Sequence, residues 1–174
     1  MNKIALLLVL IVLVYPAQGQ ENSQKEVEIA LDEWHLAASN ADYDAYFARM
    51  TDRSIFIGTD ATENWSVEAF KAFSKPYFDK GKAWSFEAVE RNIFFNEANN
   101  LAWFDELLDT WMGICRGSGV LQKDMGGNWK IAHYVLSIAV PNEHVDALLS
   151  IKKDTDSVLT KKLRSKNTIM DHKD

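Results

Sequence analysis

Four residues on successive strand-like runs have the types needed for acid–base chemistry. Asp105 and Glu106 stand in Ala102-Trp103-Phe104-Asp105-Glu106, Arg116 in Ile114–Lys123, and His133 in Asn128–Val140. An imidazole oriented by a carboxylate moves protons near neutral pH, and a guanidinium beside them holds an anion or a carbonyl oxygen. Such a group needs an apolar cavity, where burial shifts its pKa toward neutrality. Side chains alternate along a strand, so Asp105 and Glu106 point to opposite faces and only one enters an interior. With Lys130 toward water, Trp129, Ile131, His133 and Val135 are expected on the inner face, while Arg116 and Ser118 share a face of their strand. The resulting constellation has His133 as base or hydrogen-bonding group and Asp105 or Glu106 as its orienting carboxylate. Arg116, Ser118 and Trp103 hold a ligand, and Asp60 and Trp65 complete the mouth. Each has a plainer reading. Arg116 with a neighbouring-strand carboxylate makes a structural ion pair. His133 is a hydrogen-bonded interior residue, Asp60 a turn residue after Gly58-Thr59, and the tryptophans are core aromatics.

Positioning these groups requires helices followed by a sheet. Asn22–Asn40 lacks Gly and Pro and repeats Val27, Leu31, Trp34 and Ala38 at helical spacing. Asp42 caps a second helix with Tyr43, Tyr46, Phe47 and Met50 as its apolar stripe. Ser54–Ile57 reads as a short strand. Ser66 caps a third helix with Val67, Phe70, Phe73 and Phe78 inward, which Pro76 kinks or shortens and Gly81 ends. From Ala83 the period changes to two, giving strands over Trp84–Phe95, Leu101–Thr110, Ile114–Lys123 and Asn128–Val140. Asn99-Asn100 and Gly126-Gly127 serve as hairpin connections. Pro141 stops the last strand and Asn142 caps a final helix. The order is that of an α+β domain.

Composition narrows the function classes. The 174 residues are 47% apolar, enough for one domain with a real core. Lys3, the apolar run Ile4–Val14, and Ala17 and Gly19 at the −3 and −1 positions predict a signal peptide over residues 1–19 cut before Gln20. The run is shorter than the roughly 20 residues of a spanning helix. The expected product is therefore periplasmic or secreted, with no membrane association after cleavage, a domain over 20–150 and a basic helix or tail over 151–174. Cys115 stands alone, so no internal disulfide forms. Residues 20–151 carry 21 acidic and 11 basic side chains, a net −10, which repels nucleic acid; residues 152–174 carry 4 and 7, a net +3. His35, His133, His144 and His172 show no metal-ligand spacing, and neither a Gly-rich phosphate loop nor a nucleophile elbow is present. No metal or cofactor is expected.

Several segments resemble one family in order: Phe56-Ile57-Gly58-Thr59-Asp60 with Glu63-Asn64-Trp65, Ala102–Glu106, Cys115-Arg116-Gly117-Ser118-Gly119-Val120-Leu121, and Gly127–Tyr134. Together, over roughly residues 25–145, they resemble SnoaL-like domains of the nuclear-transport-factor-2-like superfamily. The resemblance implies a cone-shaped, strongly bent antiparallel sheet around a pocket, with three N-terminal helices over its wide end and a further C-terminal helix. It also implies dimerisation through the sheet. Relatives include polyketide cyclases, ketosteroid isomerases and dehydratases, so the fold does not set the function. Three functions follow as expectations: an exported module holding a small, partly apolar ligand, a cofactor-free isomerase, cyclase or lyase using a His/carboxylate pair, and a non-catalytic dimeric interaction protein. An enzyme needs a base that no structural partner saturates.

Overall fold

The computed structural model describes the backbone of residues 3–170 and the side chains of residues 21–166. The expected leader, residues 1–19, lies outside the residues whose side chains are described. The elements run α1 (Lys3–Ser39), α2 (Tyr43–Ala48), β1 (Met50–Ile57), β2 (Asn64–Ser66), α3 (Val67–Asp79), β3 (Glu87–Phe95), β4 (Leu101–Thr110), β5 (Gly113–Lys123) and β6 (Trp129–Ile138). A short 3-10 turn (Asn142–His144) and α4 (Val145–Met170) follow. The chain divides into two compact units, Met1–Ala139 and Val140–Asp174.

In the first unit, six strands form one curved, unclosed sheet in the order β2-β1-β6-β5-β4-β3. The β3–β6 strands are an antiparallel meander, as their hairpin signals predict. The β1–β6 pair is parallel, because the chain leaves β1, builds α3 and the whole meander, and only then returns beside it. Two expected caps are present: Asp42 accepts from Ala45 N at 3.0 Å and Ser66 from Ala69 N at 3.3 Å. Asn142, expected to cap the final helix, instead opens the 3-10 turn ahead of α4, with no side-chain cap bond there. Three boundaries differ from the sequence expectation. β1 begins at Met50, β2 is a three-residue strand with no alternation to betray it, and β3 begins at Glu87 because Trp84 and Phe86 pack as a loop against the core. Pro76 is accommodated inside α3, and Phe73 stays 40% exposed while stacking on Trp65.

The core lies between the inner face of the sheet and α1–α3. Trp34 stacks on Tyr46 with ring centres 4.9 Å apart and meets Tyr134 edge-on at 4.8 Å. Phe56 and Phe70 stack at 3.9 Å, and Phe104 closes on Tyr134. Rings of this size bury large apolar areas and fill the hollow that the sheet curls around. In the second unit α4 is a single amphipathic helix with exposed Leu149, Ile151, Val158 and Leu163.

Candidate functional site

Alternation on β4 sends Ala102, Phe104, Glu106 and Leu108 inward, while Trp103, Asp105 and Leu107 face out. Glu106 is thus the carboxylate that enters the interior, and it is fully buried. Burying a lone carboxylate is costly unless donors satisfy its lone pairs. Four do. His35 Nε2, from α1, lies 2.8 Å from Oε1. The Tyr134 hydroxyl, from β6, donates to the same oxygen at 3.3 Å. Arg91 Nε, from β3, donates to Oε2 at 2.9 Å, and its Nη2 lies 2.9 Å from that oxygen outside hydrogen-bond alignment. Arg91 is held in turn by Asp32, whose Oδ1 accepts from Nη1 at 2.8 Å.

The electrostatics follow from these contacts. Burial pushes the Glu106 carboxyl up, but His35 and Arg91 outweigh burial and hold it below the usual carboxylate range. Glu106 is therefore ionised, and the proton between it and His35 sits on Nε2. Burial, reinforced by the Glu106 charge, raises the Tyr134 phenol well above its ordinary value, so it stays a donor. Burial likewise raises Tyr46 well above that value, against a weaker pull from the Trp84 indole. That indole contact falls outside hydrogen-bond geometry, so the Tyr46 hydroxyl is a buried polar atom without a partner, as is Trp34 Nε1. Gly117 faces Glu106 across the β4–β5 pair. A Cβ there would fall 2.4 Å from the Tyr134 hydroxyl and 2.9 Å from Glu106 Oε1, so only glycine leaves room for the cluster.

A carboxylate saturated by four contacts is no base. His35 differs. Only 7% of the residue is exposed, and its one hydrogen bond uses Nε2. Nδ1 makes none and is not among the buried polar atoms lacking a partner, so it is the open nitrogen of the ring. His35 lines a cleft of about 260 Å³ between α1 and the start of β3, together with Asp32, Leu36, Phe86, Glu87 and Ala88. A second depression of about 280 Å³, lined by Glu28, Asp32, Ala88, Val89, Glu90 and Arg91, shares Asp32 and Ala88 with it. The geometry provides an imidazole held by a buried carboxylate beside an open cleft. Among the described residues no three His, Cys, Asp or Glu side chains converge to hold a metal ion.

The residues expected to line the hollow are placed differently. His133 does not face inward. A bulge between the Val120 and Leu121 pairings leaves Ala132 over, and the inner set shifts from Trp129 and Ile131 to Tyr134 and Leu136. His133 is half-buried on the outer face, in a row that runs Phe94, Trp103, Val120, His133, Ile55 across five strands. Asp105 and Ser118 pair in the next row. Arg116, with 55% of its side chain exposed, lies 3.5 Å from Asp105 Oδ1. Trp103 is 45% exposed and stacks on Phe94 at 5.9 Å. These five residues do come together, but on the outside of the sheet. Trp65 packs on Phe70 and Phe73 beside the core. Asp60 is an exposed turn residue accepting from Thr62 N at 2.8 Å. Neither touches the cluster.

His35 and Arg91 were legible as positions but not as site residues. His35 lies one helical turn beyond Leu31, inside the apolar stripe of α1, and Arg91 alternates with Ile93 and Phe95. A polar residue in an apolar register is the signal that marks both.

The sequence model described as a SnoaL-like domain matches residues 27–141. No curated protein matches the chain. Among solved structures, the chain is similar to a domain of unknown function with a cystatin-like fold from Nostoc punctiforme, at a TM-score of 0.60 and 16% identity, covering 84% of this chain and 98% of that one. It is similar to an NTF2-like protein of unknown function from Pseudomonas putida, at 0.58 and 16% identity, covering 71% and 91%. It is also similar to a structure described as a candidate ketosteroid isomerase from Parabacteroides distasonis, at 0.51 and 15% identity, covering 64% and 86%.

Proposed function

This chain belongs to the SnoaL-like domain family, and on that premise we propose that it is an exported protein that binds a small, partly apolar molecule in the cleft between α1 and β3. The observation that carries the reading is the open nitrogen of His35, held in place by buried Glu106 and lining the cleft with Leu36, Phe86 and Ala88. Ligand sites pair apolar surface with a few fixed polar groups, and in this cleft Leu36, Phe86 and Ala88 stand beside Asp32, His35 and Glu87. Aromatic side chains occupy the deep hollow, which favours a ligand at its edge. The leader pattern over residues 1–19 supports export.

A fragment screen by protein NMR on residues 20–174 tests this reading. Hits are expected to move resonances of His35, Leu36 and Ala88, and His35→Ala is expected to weaken them at least about tenfold, the worth of one hydrogen bond to a fixed ring nitrogen. Hits that map only to the outer face of the sheet would overturn it.

One observation favours a second reading, a cofactor-free isomerase or lyase. A carboxylate gripping one imidazole nitrogen while the other faces a cleft is the arrangement of a general base. Here His35 takes the proton and Glu106 positions it. Solvent deuterium incorporation into carbonyl compounds bearing an acidic C–H, abolished by His35→Gln, is the expected sign.

The outer face supports a homodimer. Phe94, Trp103, Leu101 and Ile114 expose apolar surface there around the Asp105–Arg116 pair, whose opposite charges can exchange across a two-fold axis. Analytical ultracentrifugation is expected to give a dimer that Trp103→Lys dissociates.

A further inference from the structure

We propose that α4 is a self-association surface: the α4 helices of two copies pair antiparallel along one exposed stripe, apart from any contact through the sheet. This goes beyond the ligand-binding reading and does not depend on it.

Spacing defines the stripe. Val145, Leu149, Lys152, Asp156, Leu159 and Leu163 follow one another at intervals of four, three, four, three and four residues. That alternation keeps side chains facing a helical partner along the whole contact. At about 100° per residue the six fall within about a quarter-turn of the helix, over roughly 27 Å of its axis. Leu149 and Leu163 are 56% and 50% exposed, Val145 and Lys152 are exposed, and Asp156 and Leu159 are half-buried. Among the described residues of this unit, only the turn Asn142–His144 accompanies α4. The stripe thus holds leucines in water that a partner helix would cover.

Order along the stripe names the occupant, because the stripe is its own complement when reversed. Turned end for end about Asp154, Val145 falls opposite Leu163, Leu149 opposite Leu159, and Lys152 opposite Asp156. A two-fold axis repeats each pairing, which gives four apolar layers around two central Lys–Asp layers. Within one helix Lys152 Nζ already lies 3.4 Å from Asp156 Oδ2, so two copies bring together a cluster of two cations and two anions. Parallel pairing instead sets Lys152 against Lys152 and Asp156 against Asp156. It also brings together the two basic ends, each with Lys161, Lys162, Arg164 and Lys166. Sliding the antiparallel pair by seven residues sets Lys152 and Asp156 against leucine or valine, so the charged layers fix the register.

A lipid surface fits less well. A helix lying on lipid buries one broad apolar arc. Here Lys152 and Asp156 interrupt the middle of the stripe, while Ile151 and Val158, 81% and 69% exposed, lie about a third of a turn from it. A second α4 answers the charged layers with the same pair, and a bilayer does not. Six layers make a short contact, so the association is of the weak class.

Sedimentation equilibrium of residues 20–174 carrying Trp103→Lys, which removes association through the sheet, tests the assignment. Dimers are expected to appear with rising concentration, with a Kd on the order of 100 µM. Leu149→Ser/Leu159→Ser is expected to weaken them at least about tenfold, and Ile151→Ser/Val158→Ser by less than about twofold. Lys152→Asp and Asp156→Lys are each expected to be monomeric alone and to dimerise when mixed, because each then supplies the charges the other lacks. Mixing cannot repair a fault within one helix, so this result separates a contact from a loss of helicity. Leu149→Cys mixed with Leu159→Cys is expected to cross-link on oxidation where neither does alone, which reports the antiparallel order. A chain that stays monomeric to about 1 mM, or charge variants that stay monomeric when mixed, would overturn the proposal. Equal weakening by the Ile151/Val158 variant would mean a broad apolar face and overturn the seam. Binding to phosphatidylglycerol vesicles by a chain monomeric in solution, lost in Leu149→Ser/Leu159→Ser, would assign the face to lipid instead. The cleft reading survives each of these failures, since none involves α1 or β3.

Discussion

The two faces of one sheet carry similar polar residues in opposite circumstances. On the inner side Glu106, Arg91 and His35 form a buried network in which both oxygens of the carboxylate are used. On the outer face Asp105 and Arg116, on the same two or neighbouring strands, meet at 3.5 Å in water. Adjacent residues, Asp105 and Glu106, thus sit in different dielectrics because a strand turns successive side chains through half a revolution. Burial makes the inner partners interdependent, since removing one leaves the others charged and unsolvated. Solvent makes the outer pair dispensable.

The largest expected effect breaks the inner network. Glu106→Ala leaves part-buried Arg91 with Asp32 as its one ion-pair partner and takes the acceptor from His35 and Tyr134, and is expected to cost about 3–5 kcal/mol in denaturant unfolding. Asp105→Ala, one residue away, is expected to cost less than about 1 kcal/mol. Comparable losses from the two would abolish the contrast.

Alkali tests the inner face next. Tyr46 and Tyr134 have folded pKa values raised well above the ordinary phenol value by burial, with Glu106 adding to the rise at Tyr134. The unfolded chain then releases protons that the folded one keeps. The stability tied to these phenols is complete below pH about 10 and is lost as pH rises toward the folded values. Melting temperature followed by circular dichroism is expected to fall above that point, and the double variant Tyr46→Phe/Tyr134→Phe is expected to fall less steeply.

A smaller effect sharpens the packing argument. Gly117→Ala places a methyl group against the Tyr134 hydroxyl and Glu106, and is expected to cost about 1–3 kcal/mol through overpacking. The smallest separates the two histidines. His133→Ala is expected to change stability by no more than about 0.5 kcal/mol, as for a surface site. It is also expected to leave cleft binding intact, where His35→Ala weakens it at least about tenfold. Ligand titrations of both variants would reverse the assignment if His133 proved the sensitive one.

Much of the architecture was legible in residue order. The helical stripe of Val27, Leu31, Trp34 and Ala38, the caps at Asp42 and Ser66, and the two-residue period of the four meander strands all mark elements found in the fold. These signals are local, set by caps, turns and alternation within a few residues. The SnoaL-like resemblance, drawn from the sequence, named the family to which the chain belongs. That Asp105 and Glu106 must part to opposite faces was likewise determined by the sequence alone.

Which of the two went inside was a tertiary decision. It depended on a histidine 71 positions earlier in the chain and on an arginine from the neighbouring strand. His133 failed for a related reason. One extra residue at Ala132 reverses alternation for the rest of β6, and a bulge arises from pairing with β5, which no period within β6 can announce. Sequence determined the elements because their causes lie within a turn or two of chain. The site required the sheet to close against α1, because a buried charge is stable only where distant donors happen to meet it.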